Sequence, residues 1–271
     1  MLLLFVELAA ASGWTQPRGH HYVKVGGRAI PGRDFFADSG DSFVVPRASY
    51  VDLALELYGE LGLTDGWTLI GQALPIGYAR FEGAGTAYSG AYQLGVRRAL
   101  LRGRHRLSLQ VDVGYTPPLG EVDLVAAPPP LGDEGRVYRY LPTQSGAQGD
   151  VQLGYGVGVG PVWIAAQAGA VGFTNGDIAP AAIGYAQVGY RTAKNNRWSV
   201  TLPFRQHLTS RPDTNLAGSG QTDFVGWRLE YTLTFGQSGW GVSTGVVGAA
   251  VASANEASIT LPLYVEHAGG Q

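Results

Sequence analysis

Tyr50-Val51-Asp52-Leu53-Ala54-Leu55-Glu56-Leu57-Tyr58-Gly59-Glu60-Leu61-Gly62-Leu63-Thr64-Asp65-Gly66-Trp67 is the stretch that decides the fold. Val51, Leu53, Leu55, Leu57 and Leu61 share one parity, while Asp52, Glu56, Tyr58 and Glu60 share the other. Side chains of a strand alternate between two faces, so this segment is a strand with one apolar and one polar face; a helix would mix the two sets. Thr64-Asp65-Gly66 then reads as a tight turn ahead of Trp67.

The same grammar returns along the chain. Leu107, Leu109, Val111, Val113 and Tyr115 oppose Ser108, Gln110 and Asp112. Val151, Leu153, Tyr155, Val157 and Val159 oppose Asp150, Gln152, Gly154 and Gly156. Val225, Trp227, Leu229, Tyr231, Leu233 and Phe235 oppose Gly226, Arg228, Glu230, Thr232 and Thr234. Each run matches the roughly 9–11 residues with which a tilted strand crosses a bilayer. Twelve strands are expected, near 20–30, 48–63, 67–81, 86–100, 105–117, 149–159, 162–173, 181–192, 198–208, 223–235, 240–251 and 257–266.

Links between them alternate in length. Asp65-Gly66, Arg102-Gly103, Gly160-Pro161, Lys194-Asn195 and Gln237-Ser238 mark short turns, and longer links fall at 31–47, 117–148 and 209–222. An up-and-down membrane barrel has short periplasmic turns and long outer loops. Trp67, Trp163, Trp198 and Trp240 each follow a short turn, and Trp14 precedes the first strand. An indole settles where hydrocarbon meets water, so these five are expected to form a girdle at the periplasmic membrane interface.

Composition narrows the alternatives. The chain has 271 residues, 41 of them glycine, and a formal net charge of −2, which argues against a nucleic-acid partner. It has no cysteine, so disulfide frameworks and thiolate metal sites are excluded. No apolar run reaches the roughly 18–20 residues of a spanning helix. Leu2-Leu3-Leu4-Phe5-Val6 followed by Ala9-Ala10-Ala11 reads as a truncated signal peptide over 1–11, leaving 12–271 as one barrel domain.

About twelve strands around an apolar interior would enclose a void, whereas a polar interior suits a membrane barrel between the side-chain-filled eight-stranded kind and the open 16–18-stranded porins. The residues expected to line this lumen are Lys24, Arg28, Asp52, Glu56, Glu60, Gln72, Gln110, Asp112, Asp150, Gln152, Gln167, Gln187, Arg205, Arg228 and Glu230. Leu53, Leu55, Leu109, Val111 and Leu229 are expected on the lipid face. Lys24 and Arg28 have the spacing of Glu56 and Asp52, so an antiparallel register predicts Arg28 opposite Asp52 and Lys24 opposite Glu56.

Three phrases carry a resemblance: Gly13-Trp14-Thr15-Gln16-Pro17-Arg18-Gly19, the segment from Tyr58 to Leu69, and Ser145-Gly146-Ala147-Gln148-Gly149-Asp150-Val151. They resemble Gram-negative outer-membrane barrels of the transporter-like kind grouped with phenol meta-pathway proteins. The resemblance implies an outer-membrane location, contact with lipid and lipopolysaccharide, carriage of small, often hydrophobic solutes, and no cofactor. Outer-membrane proteins commonly end on an aromatic residue, while this chain continues from Tyr264 to His267-Ala268-Gly269-Gly270-Gln271.

Catalytic signals are sparse. Adjacent His20 and His21 face opposite sides of a strand and do not make a metal pair. His207 and Ser210 sit near an outer strand end, as base and nucleophile do in outer-membrane phospholipases, without a third partner at a recognisable spacing. The reading is therefore an all-β, up-and-down antiparallel transmembrane barrel that passes small solutes by diffusion, the alternatives being a membrane-embedded hydrolase or a non-conducting barrel with partner-binding loops.

Overall fold

The structure is a computed structural model and describes residues 14–32, 50–81, 84–121, 124–126, 138–140, 142–176, 178–209, 216–217, 223–252 and 260–270. The expected leader at 1–11 lies outside them. Strands β1 (His21–Gly32), β2 (Tyr50–Thr64), β3 (Trp67–Phe81), β4 (Ala84–Tyr88), β5 (Tyr92–Leu101) and β6 (His105–Thr116) come first. β7 (Leu124–Ala126), β8 (Tyr138–Tyr140), β9 (Gly146–Val159), β10 (Val162–Phe173), β11 (Ala181–Arg191) and β12 (Arg197–His207) follow. The chain ends with β13 (Leu216–Ala217), β14 (Phe224–Thr234), β15 (Trp240–Ala252) and β16 (Leu261–Gly269).

β2, β1, β16, β15, β14, β12, β11, β10, β9, β6, β5 and β3 pair in that order, and β3 pairs back onto β2, closing a ring of twelve. Every pairing in the ring is antiparallel and joins strands consecutive along it, with β1 against β16 as the seam. Closure leaves no free sheet edge along the ring, so the backbone groups of the strands pair within the wall, as a bilayer requires. Left-handed backbone at Gly160 and Asn195, φ 60° and 62°, lets the chain reverse within the short turns.

Burial is inverted relative to a soluble protein. Leu53, Leu109, Val151, Leu202, Leu229 and Leu263 are exposed on the outer face, and their neighbours Asp52, Gln110, Gln152, Thr201 and Arg228 are buried within. Lipid tails solvate the first set, while the second satisfies its polar groups in the interior. No helix among the described residues is long and apolar enough to cross a membrane.

The wall is irregular where β3 meets β4 and β5. β4 and β5 continue a single line, Gly77 facing Tyr88 and Ala73 facing Tyr92, but pairing breaks at Ser89-Gly90-Ala91. Pro75, which has no N–H to donate, lies on β3 beside the break. The ladder is rescued by Leu74 N donating to Ala91 O at 3.1 Å and Gly90 N donating to Leu74 O at 2.9 Å. The β2–β3 register also slips at this level, between Leu55 and Leu57.

Parts of the long links 117–148 and 209–222 build a separate small sheet in the order β13, β8, β7. The last residues of the first link turn inward: Thr143 Oγ1 donates to Ser89 O at 2.8 Å, and Thr143 and Gln144 are buried.

The expected β1–β2 ladder is corrected. Lys24 stands opposite Tyr58 and Arg28 opposite Ala54, two residues from the predicted register. A two-residue shift keeps every side chain on its face, and the long link 33–49 does not set the register as a tight turn would. The final strand also runs later than expected, ending at Gly269.

Candidate functional site: the barrel lumen

Even-numbered residues of β1 and β2 point inward and build the first group of interior charges. Arg28 pairs with Glu56, which also accepts from Tyr264 Oη at 2.5 Å. Tyr88 Oη donates to Asp52 at 2.7 Å and lies 3.4 Å from Arg28 Nη2. Thus Arg28 meets the two carboxylates through a phenol and a diagonal contact rather than a cross-strand rung.

A second group spans the interior. Lys24 Nζ lies 3.2 Å from Glu230 Oε2 and 4.3 Å from the Tyr264 ring centre, although β1 and β14 are separated in the wall by β16 and β15. Glu230 also pairs with Arg228 on its own strand, and Arg197 pairs with Glu266, which accepts from Tyr22 Oη at 2.9 Å. These chords cross the lumen and brace it.

A third group runs along β2, β5, β6 and β9. Arg97 Nη1 donates to Glu60 Oε1 at 2.9 Å, and its Nε donates to Gln110 Oε1 at 2.9 Å. Gln110 Nε2 donates to Asp112 at 2.7 Å, and Gln152 Nε2 donates to Asp150 at 2.6 Å. Asp112 and Asp150 face each other across β6 and β9, as do Gln110 and Gln152. Gln187 Nε2 donates to Thr201 Oγ1 at 3.0 Å, while Gln167 is buried close to Gln110. Gln72 is half-buried on the inner face of β3.

The chain ahead of β1 enters this lumen. Gln16 N donates to Thr68 Oγ1 at 2.8 Å and Gln16 Nε2 donates to Glu60 Oε2 at 2.6 Å. Arg97 Nη1 donates to Trp14 O at 3.0 Å, and Gly19 N donates to Gly62 O at 2.9 Å. Gly62 is required here, because any Cβ would overlap the Pro17 carbonyl. Residues 14–19 therefore fill part of the turn end.

The tryptophan girdle needs correction. Trp67, Trp198 and Trp240 are exposed on the outer face, at 41%, 46% and 50%, and suit an interfacial belt. Trp163 points inward, because it has the parity of buried Ala165 and Gln167, and its ring lies over Gly189. Trp14 also points inward, with its ring over Gly156. Small residues at 156 and 189 make room for the two indoles, a signal legible only once the facing strands are known. Between them opens a vestibule of about 410 Å³, lined also by Tyr22, Glu60, Arg191, Arg197, Glu230 and Glu266.

The loop end is different. Val171, Ala181 and Ile183 form an apolar cluster with Phe173, and Phe224 is buried nearby along the wall. Arg205 lies in this sector, between Ile183 on β11 and Phe224 on β14 in the pairing. His207 Nδ1 lies 2.5 Å from Asp223 Oδ1, a partner that the sequence reading missed because Asp223 stands 16 residues on, just ahead of β14. Ser210 lies outside the described residues. At the seam His21 Nε2 lies 3.0 Å from His267 Nδ1, so His21 pairs across the barrel closure rather than with His20. No group of three or more metal-ligating side chains occurs among the described residues.

No family model and no curated protein matches the chain. Solved structures do. An outer membrane channel from Pseudomonas putida F1 aligns over 97% of this chain and 100% of its own, with TM-score 0.68 and 14% identity. The translocator domain of the autotransporter NalP from Neisseria meningitidis aligns over 93% and 89%, with TM-score 0.53 and 11% identity. A mutant of the monoaromatic hydrocarbon channel TodX aligns over 94% and 91%, with TM-score 0.50 and 9% identity. By fold the chain is a twelve-stranded β-barrel of the bacterial outer-membrane type.

Proposed function

We propose that the protein sits in the outer membrane, with its apolar belt against lipid and its outer rim against lipopolysaccharide, and passes small, weakly polar solutes by diffusion. The observation that carries this reading is the division of the lumen. Paired charges and residues 14–19 narrow the turn end, while Phe173, Ile183, Val171 and Phe224 make one sector of the loop end apolar. Buried ion pairs that satisfy one another leave little field for selecting ions, and an apolar sector favours solutes with hydrocarbon surface. Two structural neighbours are named as channels, one of them for monoaromatic hydrocarbons, which accords with such a solute.

The test is flux. Purified barrel in planar bilayers should give a small conductance, and barrel-containing vesicles should take up a neutral aromatic such as benzamide faster than empty ones. Equal uptake with and without protein refutes the transport reading.

A further inference from the structure

Arg205 is a charge in the wrong surroundings. It is 6% exposed, yet its Nε and Nη2 are shut off from solvent and have no hydrogen-bond partner among the described residues. Its strand neighbours in the pairing are Ile183 and Phe224, and its guanidinium lies 5.4 Å from the Phe173 ring centre. The other strongly buried cations of the lumen are handled differently: Arg28, Arg97, Arg228 and Lys24 each sit on a carboxylate. The nearby Asp223 is turned to His207, whose backbone N and Nδ1 both bind the same Oδ1.

An arginine does not escape burial by losing its proton, and unmet donors in apolar surroundings cost more than a hydrogen bond returns elsewhere. The two unmet nitrogens are Nε and Nη2, and Nε–H and one Nη2–H lie side by side on one edge of the guanidinium. That edge matches the two oxygens of a carboxylate, in the geometry of bidentate recognition. Beside it, Phe173, Ile183 and Phe224 make the wall aromatic and aliphatic, with Phe173 the partly exposed member.

We infer that Arg205 and the apolar sector around it form a binding site for amphipathic carboxylates, with the acid group on the Nε/Nη2 edge of Arg205 and the hydrocarbon part against Phe173, Ile183 and Phe224. Phe173, at the end of β10 and only partly buried, is the member of the three along which a ligand reaches Arg205 in this inference. The inference rests on the transport reading in that it adds an anionic, amphipathic class to the solutes of the same lumen.

The experiment is equilibrium binding of benzoate, its neutral analogue benzamide and its cationic analogue benzylamine to the full-length barrel in nanodiscs, alongside vesicle uptake of benzamide. Benzoate should bind at least about tenfold tighter than benzamide, the scale of a charge-assisted bidentate contact. Arg205→Gln should abolish that preference, and Arg205→Lys, which keeps the charge but loses the planar fork, should lower it severalfold. Equal binding of benzoate and benzamide to the wild-type protein overturns the site, as does tighter binding of benzylamine; neither result depends on a variant that must fold. Unchanged preference in folded Arg205→Gln overturns the assignment to Arg205. Benzamide uptake that persists while the benzoate preference is absent leaves transport standing and removes only this inference.

Discussion

Replacing Glu230 by Gln removes the one carboxylate that Lys24 and Arg228 share. Lys24 Nζ lies 3.2 and 3.3 Å from its two oxygens, and Arg228 pairs with one of the same oxygens. Both cations are nearly inaccessible, at 2% and 3% side-chain exposure, whereas Glu230 retains 13% at the vestibule. Breaking a buried pair by deleting one partner costs about 3–5 kcal/mol; water at the vestibule places Glu230→Gln near the low end, at about 3 kcal/mol. Lys24→Gln removes one stranded cation, so the double variant should recover about 2 kcal/mol of coupling, within the range for contacting residues. The assay is urea unfolding in lipid vesicles, followed by tryptophan fluorescence and by the shift in gel mobility that folded barrels show. Lys24→Gln combined with Asp150→Asn, on the opposite wall, serves as the additive control and should deviate by no more than about 0.5 kcal/mol. Coupling of Lys24 with Glu230 as small as that control would refute the chord across the interior.

Other outcomes follow from the same geometry. Leu55→Arg, on the exposed outer face, should destabilise the inserted barrel by about 2–4 kcal/mol while Gln72→Arg inside is milder, as judged by folding yield in vesicles; equal yields would reverse the facing. Gly156→Ala places a methyl group in the Trp14 ring, so it should cost about 1–3 kcal/mol of stability or push the indole aside and raise single-channel conductance; a variant unchanged in both would show that Trp14 does not fill the turn end. Single cysteines at Gly103 or Ser238, in short turns, should resist an impermeant maleimide in intact cells, and one at Gly176 in an outer link should react; the opposite labelling would invert the barrel.

Period-two alternation is a local property, and it was enough to give strand type and the number of strands in the ring, though not the facing of Trp14 and Trp163, which were expected in the outer girdle and point inward. Asp52, Glu56 and Glu60 share an interior face because residues two apart must do so, whatever they pair with. Alternating link lengths likewise made the barrel up-and-down without reference to any contact. What parity cannot distinguish is a shift of two, so Lys24 was expected opposite Glu56 and is instead opposite Tyr58. Nor does parity reveal what faces a residue across the closed interior. The Lys24–Glu230 chord and Trp14 over Gly156 join positions far apart in the chain, and Trp163 over Gly189 depends on the register of β10 against β11. His207 with Asp223, and Arg205 among Ile183, Phe224 and Phe173, likewise depend on which strands become neighbours. Such meetings are set by the stagger and closure of the whole sheet, which no single strand encodes, so the tertiary structure alone decided which interior charges are paired and which donors of Arg205 have no partner among the described residues.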